Sequence, residues 1–378
     1  MTETGTQPAS ASEADPPSRR AASADGESPD GGPTARARAR APMLAIGIRP
    51  AQFVIGAVAL LGIADLFAGV APSLPGWVRY APLAMSLVVF GLPHGAVDHL
   101  APARAVGDRP TLRWLAAVGV LYLLLGGAYA ALWYVAPVAS ALLFVALTWL
   151  HWGQGDVYAL DALGAAHLDD RAVRLGTLVV RGGLPMLVPL LRFPSRYRDV
   201  VAAWVALFGG GLDATWLFAP ESRLVLGSGF ALLTAATLRF GRLRGGAEWV
   251  RDAGETVLLW AYFLFVPPLV AVGLYFCVWH SLRHIARLVG VDPTARRAFE
   301  ERGTAAALLR TGRDALPLTA VSIVLLVGVA AVGVDVGVET LAALYLVFIA
   351  VLTLPHVVVV AWMDRAETAG LARLGSQQ

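Results

Sequence analysis

Long apolar segments recur along almost the whole of this 378-residue chain. Each approaches the ~20 residues that an α-helix needs to cross the hydrocarbon core of a membrane. A soluble fold of this length would have shorter apolar segments and more charged residues than the 15% found here. The apolar segments are Phe53–Val70, Tyr80–Leu100, Leu115–Val135, Val138–Gly153, Leu175–Leu191, Val201–Phe218, Leu224–Leu238, Val257–Trp279, Leu316–Val334 and Leu341–Trp362. We therefore predict an all-α, polytopic membrane bundle of about eight to ten transmembrane helices.

The chain begins with a segment that has no apolar period and is rich in Ala, Ser, Pro, Asp and Gly. We predict that Met1–Pro42 is a disordered tail and that residues 43–378 form one membrane-embedded domain. Arg36, Arg38 and Arg40 shortly precede the first apolar segment. Because short arginine-rich segments stay on the cytoplasmic side, this pattern predicts a multi-pass protein of the cell membrane with a cytoplasmic N-terminus.

Charged residues in the later loops predict on which side of the membrane each loop lies. Arg104 and Arg302 lie in arginine-rich loops, which we expect on the cytoplasmic side of the membrane. Asp335 lies in a turn that has no nearby arginine, and we expect this turn on the outer side.

Cysteine and lysine are scarce enough to exclude whole classes of chemistry. Cys277 is the single cysteine, so a disulfide framework and a cysteine-based zinc or iron–sulfur site are excluded. The chain has no lysine, so it cannot form a Schiff base and cannot itself hold retinal as a rhodopsin does. The isoelectric point of about 9.2 suits anionic lipid headgroups of a bilayer better than nucleic acid.

Six of the seven histidines lie within apolar segments or at their ends. They occur in the second, fourth, eighth and tenth segments, which run in the same direction in an up-and-down bundle. This places the imidazoles in one layer and predicts a shared metal site. The seventh, His167, lies in a polar stretch, and we predict that it is a solvated loop residue.

Spacing along a helix selects the metal ligands among these histidines. His280 and His284 are four residues apart and share one helical face, so both imidazoles can reach one ion. His99 is five positions from His94 and points elsewhere. We therefore predict His94, His151, His280 and His284 as the ligands.

Two carboxylates and one further histidine accompany these ligands. Asp98 shares a helical face with His94, and Asp98 and Asp156 are candidates to accept hydrogen bonds from imidazole N–H groups. For Asp156, a hydrogen bond at a helix end is an equal alternative. His356 is a fifth ligand, a partner of the ligands or a contact to substrate.

The residue types around the site narrow the choice of metal. An all-imidazole site with few carboxylates suits iron, copper or zinc better than calcium or magnesium. Hydrolysis at zinc would need a carboxylate base beside a bound water, and no glutamate stands beside these histidines. A redox metal that binds dioxygen is therefore the better interpretation.

The histidine motifs resemble those of the Brp/Blh family of membrane-bound beta-carotene 15,15'-dioxygenases. The resemblance rests on P-H-G-A-V-D-H at Pro93–His99, H-W-G-Q-G-D at His151–Asp156, W-H-S-L-R-H at Trp279–His284 and P-H at Pro355–His356. It implies oxidative cleavage of beta-carotene at its central double bond, with dioxygen and non-haem Fe(II), to two molecules of all-trans-retinal. The iron-binding, catalytic histidines of the family correspond to His94, His151, His280 and His284. A rhodopsin is then the expected acceptor of the retinal.

Two other classes of function are alternatives to this resemblance. One is a different iron-dependent membrane oxygenase, such as a di-iron hydroxylase or desaturase that acts on another lipid. Such enzymes use clustered His-x-x-His-His patterns, and this chain has no adjacent pair of histidines. The other is a non-enzymatic membrane protein that handles a metal or retinal. Loss of carotenoid colour on expression would distinguish an enzyme from such a carrier.

Overall fold

The structure is a computed structural model that describes residue 2 and residues 35–68, 76–333 and 337–376. Every regular element in this part of the chain is helical. The α-helices are α1 (Ala35–Pro42), α2 (Arg49–Ala68), α3 (Ala81–Val88), α4 (Gly91–Gly95), α5 (Ala101–Ala105), α6 (Leu112–Leu121), α7 (Gly127–Val135), α8 (Pro137–Ala162), α9 (Arg171–Arg192), α10 (Pro194–Ala206), α11 (Thr215–Phe218), α12 (Pro220–Arg244), α13 (Glu248–Phe265), α14 (Pro268–Leu274), α15 (Ser281–Val291), α16 (Pro293–Arg302), α17 (Thr304–Gly333) and α18 (Val338–Ser376). The π-helical segments are Met43–Ile48, Tyr122–Gly126 and Tyr275–His280, and the 3-10 helices are Gly76–Tyr80 and Ala166–Asp169.

Seven stretches of the described residues are long and apolar enough to cross a membrane. They confirm the all-α, multi-pass membrane architecture. The stretches are Arg38–Leu66, Leu112–Val135, Arg171–Arg192, Pro220–Arg244, Pro268–Val291, Thr304–Val332 and Val338–Glu367. The helix α8 has the length of a spanning helix, at 26 residues, but its second half is polar.

The central helix of the bundle is Pro268–Val291. Within the protein, 78% of its apolar window is buried, whereas only 11% of Thr304–Val332 and 17% of Leu112–Val135 are buried. The exposed apolar side chains of these two outer helices suit contact with lipid tails. The core around the central helix includes the fully buried aromatic residues Tyr275 and Trp279.

The second apolar segment, Tyr80–Leu100, is not one continuous helix as predicted. It is divided into the end of a 3-10 helix, α3, α4 and a run of turns. The short helix α4 lies so close to α3 that a Cβ at Gly91 would overlap the Ser86 carbonyl oxygen. This close packing buries His94 in the interior instead of at the end of a spanning helix.

The sixth and eighth apolar segments are also interrupted. Val201–Phe218 holds the end of α10 and the four-residue α11, so it does not span. In the eighth segment, α13 ends at Phe265 because Val266 precedes two prolines and adopts an extended conformation. A new helical stretch then starts at Pro268, which places His280 near the middle of a helix and not at its end.

The end of the predicted N-terminal tail is ordered. The structure describes Ala35–Pro42, where the sequence predicts the end of a disordered tail, as a helix. Two contacts hold helix α1 against the bundle. Ala39 packs against Gly290, and Arg40 donates a hydrogen bond to the Leu163 carbonyl at 2.6 Å. The rest of the tail, residue 2 apart, and Asp335 lie outside the described residues, so a separate tail domain stays a prediction.

Candidate metal centre and apolar cavity

Five buried histidine rings come together at the centre of the bundle. The chain brings them there on different elements: His94 on α4, His151 on α8, His280 and His284 on the central helix, and His356 on α18. Ring centroids are 4.6 Å apart for His151 and His280, and 4.7 Å apart for His151 and His356. The four predicted ligands thus lie in one cluster, together with His356.

Three of these histidines form the tightest group. One nitrogen atom each of His94, His151 and His280 lies within 4.8 Å of the other two, so the group could hold a metal ion. Two nitrogens on opposite sides of one ion would be ~4.2 Å apart at metal–nitrogen distances of about 2.1 Å. His284 adjoins this group, because its ring centroid is 5.3 Å from that of His94.

The hydrogen bonds of the rings leave nitrogen atoms free to act as ligands. Nδ1 of His94 contacts the Gly91 carbonyl oxygen, so its proton lies on Nδ1 and its Nε2 carries a lone pair. Nε2 of His280 and Nε2 of His284 are buried and have no hydrogen-bond partner among the described residues. Unpartnered buried nitrogens are unfavourable, so this set of donors fits a bound metal.

Asp98 lies in a turn and contacts the imidazole of His356. Its Oδ2 atom lies 2.7 Å from Nδ1 of His356. The hydroxyl group of Tyr122 donates a hydrogen bond to the same Oδ2 atom, at 2.6 Å. Tyr122 could not be predicted from the sequence, because a tyrosine inside an apolar segment carries no distinguishing signal.

Among the described residues, the partners of Asp156 are Trp279, Arg181 and Arg283, and none of them is an imidazole. Its carboxylate accepts a hydrogen bond from Nε1 of Trp279, at 3.0 Å, and lies 3.5 Å from Nε of Arg283. It stands inside α8 and not at a helix end. Asp156 therefore joins the helix of His151 to the helix of His280.

A buried cluster of charged residues lies beside the histidines and includes His167. The prediction that His167 is solvated is wrong: the residue is fully buried, and its Nε2 lies 3.1 Å from Oδ2 of Asp252. Arg181 lies 2.5 Å from Glu255 and 3.3 Å from Asp252. Arg283 lies 3.1 Å from the same Glu255. Polar residues in the His167 segment suggested a loop, but His167 pairs with Asp252 in the interior of the bundle.

An apolar cavity of about 660 Å³ adjoins the histidines. His94, His151, His280 and His356 form part of its wall, and most of the other lining residues are apolar. Cavities of this size bind small molecules in many proteins.

The same cavity reaches the outer surface of the bundle. Leu115 of α6 and Leu318 and Val321 of α17 line it, and their exposed fractions are 37%, 39% and 61%. The candidate spans that hold α6 and α17 are the least buried of the seven, so we infer that the cavity opens between these two helices towards the lipid tails.

Comparison with known proteins identifies relatives along most of the chain. The family described as "Beta-carotene 15,15'-dioxygenase" matches residues 85–364. A protein of Halobacterium salinarum strain NRC-1, described as "Probable beta-carotene 15,15'-dioxygenase Blh", is 53% identical over 324 residues, which cover 84% of this chain and 93% of that protein. The "Probable beta-carotene 15,15'-dioxygenase Brp" of strain R1 is 34% identical over 335 residues, covering 82% and 91%. No solved structure matches the chain.

Proposed function

The chain belongs to the beta-carotene 15,15'-dioxygenase family, and on that premise we propose that it cleaves beta-carotene at its central 15,15' double bond with dioxygen. The products are two molecules of all-trans-retinal. The observation that supports this proposal best is a buried cluster of imidazoles in the wall of an apolar cavity that opens towards lipid.

The metal that we propose is Fe(II), with His94, His151, His280 and His284 as its ligands. Imidazole is a good ligand for iron, and the cluster contains no cysteine. Bound iron would supply the redox chemistry that makes dioxygen reactive towards a carbon–carbon double bond. The protein supplies neutral imidazoles with defined tautomers. The contact between His94 and the Gly91 carbonyl, for example, places the ring proton of His94 on Nδ1.

The cavity wall positions the substrate beside the histidines. Phe276 and Trp152 line the cavity, and their rings lie 5.5 Å from His94 and 5.7 Å from His280. Flat aromatic side chains here can pack along a polyene and hold its central carbons next to the cluster. The apolar wall also excludes water from the reacting double bond.

Substrate and product both move through the membrane in this proposal. Beta-carotene dissolves in the bilayer, so it can enter sideways through the opening between α6 and α17. The chain has no lysine, so retinal cannot be retained as a Schiff base. It leaves for an acceptor, for which a rhodopsin is our candidate.

The test is expression of the chain in cells that make beta-carotene, followed by extraction of carotenoids and retinoids. We expect the carotenoid colour to fade and all-trans-retinal to accumulate as the only cleavage product. Val358→Ala is a suitable control, because Val358 is 39% exposed and lies only two residues from His356.

Each alternative predicts a different result in the same experiment. Persistent colour with normal amounts of inserted protein would indicate a carrier of metal or retinal. Apocarotenals longer than retinal would contradict central cleavage. Oxygenated lipids without retinal would indicate another membrane oxygenase.

A further inference from the structure

A chain of three hydrogen-bonded side chains leads from the π-helical segment Tyr122–Gly126 to the histidine cluster. Oδ2 of Asp98 lies 2.6 Å from the hydroxyl group of Tyr122 and 2.7 Å from Nδ1 of His356. The carboxylate oxygen accepts both hydrogen bonds, so the proton of the neutral His356 ring lies on Nδ1. The other ring nitrogen, Nε2, therefore carries a lone pair.

This lone pair points at another site histidine. Nε2 of His356 lies 3.2 Å from Nε2 of His151. Two nitrogens that bind one ion at about 2.1 Å, with an angle of 90–109° between them, are ~3.0–3.4 Å apart. The observed separation agrees with that range.

We propose that His356 is a fifth imidazole ligand of the metal, and that Asp98 and Tyr122 are positioning residues that hold its ring. When a histidine binds a metal through one ring nitrogen, a carboxylate that accepts a hydrogen bond from the N–H of the other nitrogen fixes the tautomer of the histidine and raises its basicity. Tyr122 in turn holds the carboxylate. This inference rests on the proposed function, because it assigns a further ligand to the same metal.

A simple hydrogen bond between His151 and His356 is the competing interpretation. In that case Nε2 of His151 carries the proton and donates a hydrogen bond to Nε2 of His356. The only nitrogen of His151 left to bind the metal is then Nδ1, which has no hydrogen-bond partner among the described residues. The two interpretations differ in the number of imidazoles bound to iron, so they can be separated.

The first experiment measures iron in purified, detergent-solubilised protein. The dissociation constant for iron should rise at least tenfold in His356→Gln and ~10–100-fold in Asp98→Asn, with a smaller rise in Tyr122→Phe. The controls are Val358→Ala on α18 and Tyr134→Phe on α7, since Tyr134 is 76% exposed. Wild-type iron affinity in Asp98→Asn would overturn the proposal even where His356→Gln fails to fold.

The second experiment counts the ligands by X-ray absorption at the iron edge. We expect five imidazoles in the wild-type protein and four in His356→Gln. In His356→Gly, added imidazole should restore iron retention, which a merely structural role of His356 would not allow. Equal imidazole counts in wild type and His356→Gln would overturn the proposal. If the wild-type protein cleaves beta-carotene without iron, then the proposed iron-dependent function itself has failed.

Discussion

Hydrogen-bond partners separate two kinds of buried histidine in this protein. His167 contacts Asp252, and together they complete a buried charge cluster. His280 and His284 are buried as well, but among the described residues neither ring pairs with a carboxylate, and Nε2 of each lacks a hydrogen-bond partner, as Nδ1 of His167 also does. An unpaired buried polar atom costs ~1–3 kcal/mol, which binding to a metal would offset.

This difference predicts opposite effects of two alanine substitutions. His280→Ala should lower the iron content of purified protein at least ~10-fold, because it removes a ligand. His167→Ala should leave the iron content unchanged but lower the free energy of unfolding by ~1–3 kcal/mol, because Asp252 loses a hydrogen-bond donor. Elemental analysis and thermal unfolding measure the two effects. Normal iron content in His280→Ala would contradict the assignment of this ligand.

The histidines could be predicted from the sequence, but their partners could not. An imidazole in an apolar segment is costly, so each such residue marks a candidate site. His280 and His284 additionally share a face because of their spacing. Tyr122 carries no comparable signal, and Arg181, although it is a costly charge inside the apolar segment Leu175–Leu191, does not reveal its partners. Their roles follow from which helices pack together, and spacing along the chain does not encode this.

At the scale of helices, the buried charge cluster joins the elements that carry the histidines. Asp156 comes from α8, Arg181 from α9, Glu255 from α13 and Arg283 from α15. The Arg283 guanidinium also lies 3.7 Å from the ring centroid of Trp279, in a cation–π contact. The cluster therefore sets the relative positions of His151 and His280.

Removal of one charge from this cluster should be costly. Glu255→Ala removes the carboxylate to which both buried arginines donate hydrogen bonds, so we expect the free energy of unfolding to fall by about 3–5 kcal/mol. Glu300→Ala is the matched control, because Glu300 is 61% exposed and lies 3.6 Å from Arg296. Its effect should stay below about 1 kcal/mol. Similar unfolding curves for both variants in detergent would contradict this account.

Helix α1 predicts a boundary for N-terminal truncation. Deletion of residues 2–34 should leave iron content and cleavage unchanged. Deletion of residues 2–41 should reduce thermal stability, because it removes Ala39 from its contact with Gly290 and Arg40 from its hydrogen bond with Leu163. Loss of the hydrogen bond alone should cost ~1–3 kcal/mol. Equal melting temperatures of the two truncated proteins would contradict a structural role for α1.

Long apolar helices without internal breaks could be predicted, whereas the broken ones could not. Leu115–Val135 and Leu341–Trp362 each fall within a candidate span of the structure. Tyr80–Leu100 has a similar composition, but tertiary packing around Gly91 divides it. Hydropathy indicates that a segment avoids water, but it does not say whether lipid or protein surrounds the segment. That ambiguity explains why fewer stretches span than the apolar segments suggest.

At the scale of the whole molecule, the cavity extends from the histidines to exposed side chains of α6 and α17, between which we infer an opening towards the bilayer. Val321→Trp should narrow this opening and lower beta-carotene cleavage several-fold, with unchanged iron content. Val327→Trp is the control, since Val327 is 60% exposed on the same helix and does not line the cavity. Rates of retinal formation in membranes measure the effect. Equal rates for the two variants would place the substrate entrance elsewhere.

The orientation of the bundle is open to a direct test. After replacement of Cys277 by Ala, single cysteines at Arg302 and Val338 can be probed with an impermeant thiol reagent in intact cells. Val338 is 54% exposed beside the expected outer turn, so Val338→Cys should label and Arg302→Cys should not. Arg104 is less suitable, because it pairs with Asp292 at 3.3 Å and with Asp314 at 2.8 Å. External labelling of Arg302→Cys would show that the predicted orientation is reversed.

The buried charge cluster has a consequence for how the protein should respond to the supply of its proposed metal. Arg181, Glu255 and Arg283 connect the helices without any contribution from iron. The apoprotein should therefore stay folded, unlike small metalloproteins that unfold when their metal is removed. Cells short of iron would accumulate inserted but idle enzyme, and restored iron would start retinal production without new protein synthesis. The supply of metal, and not the rate of translation, would then set how quickly pigment returns.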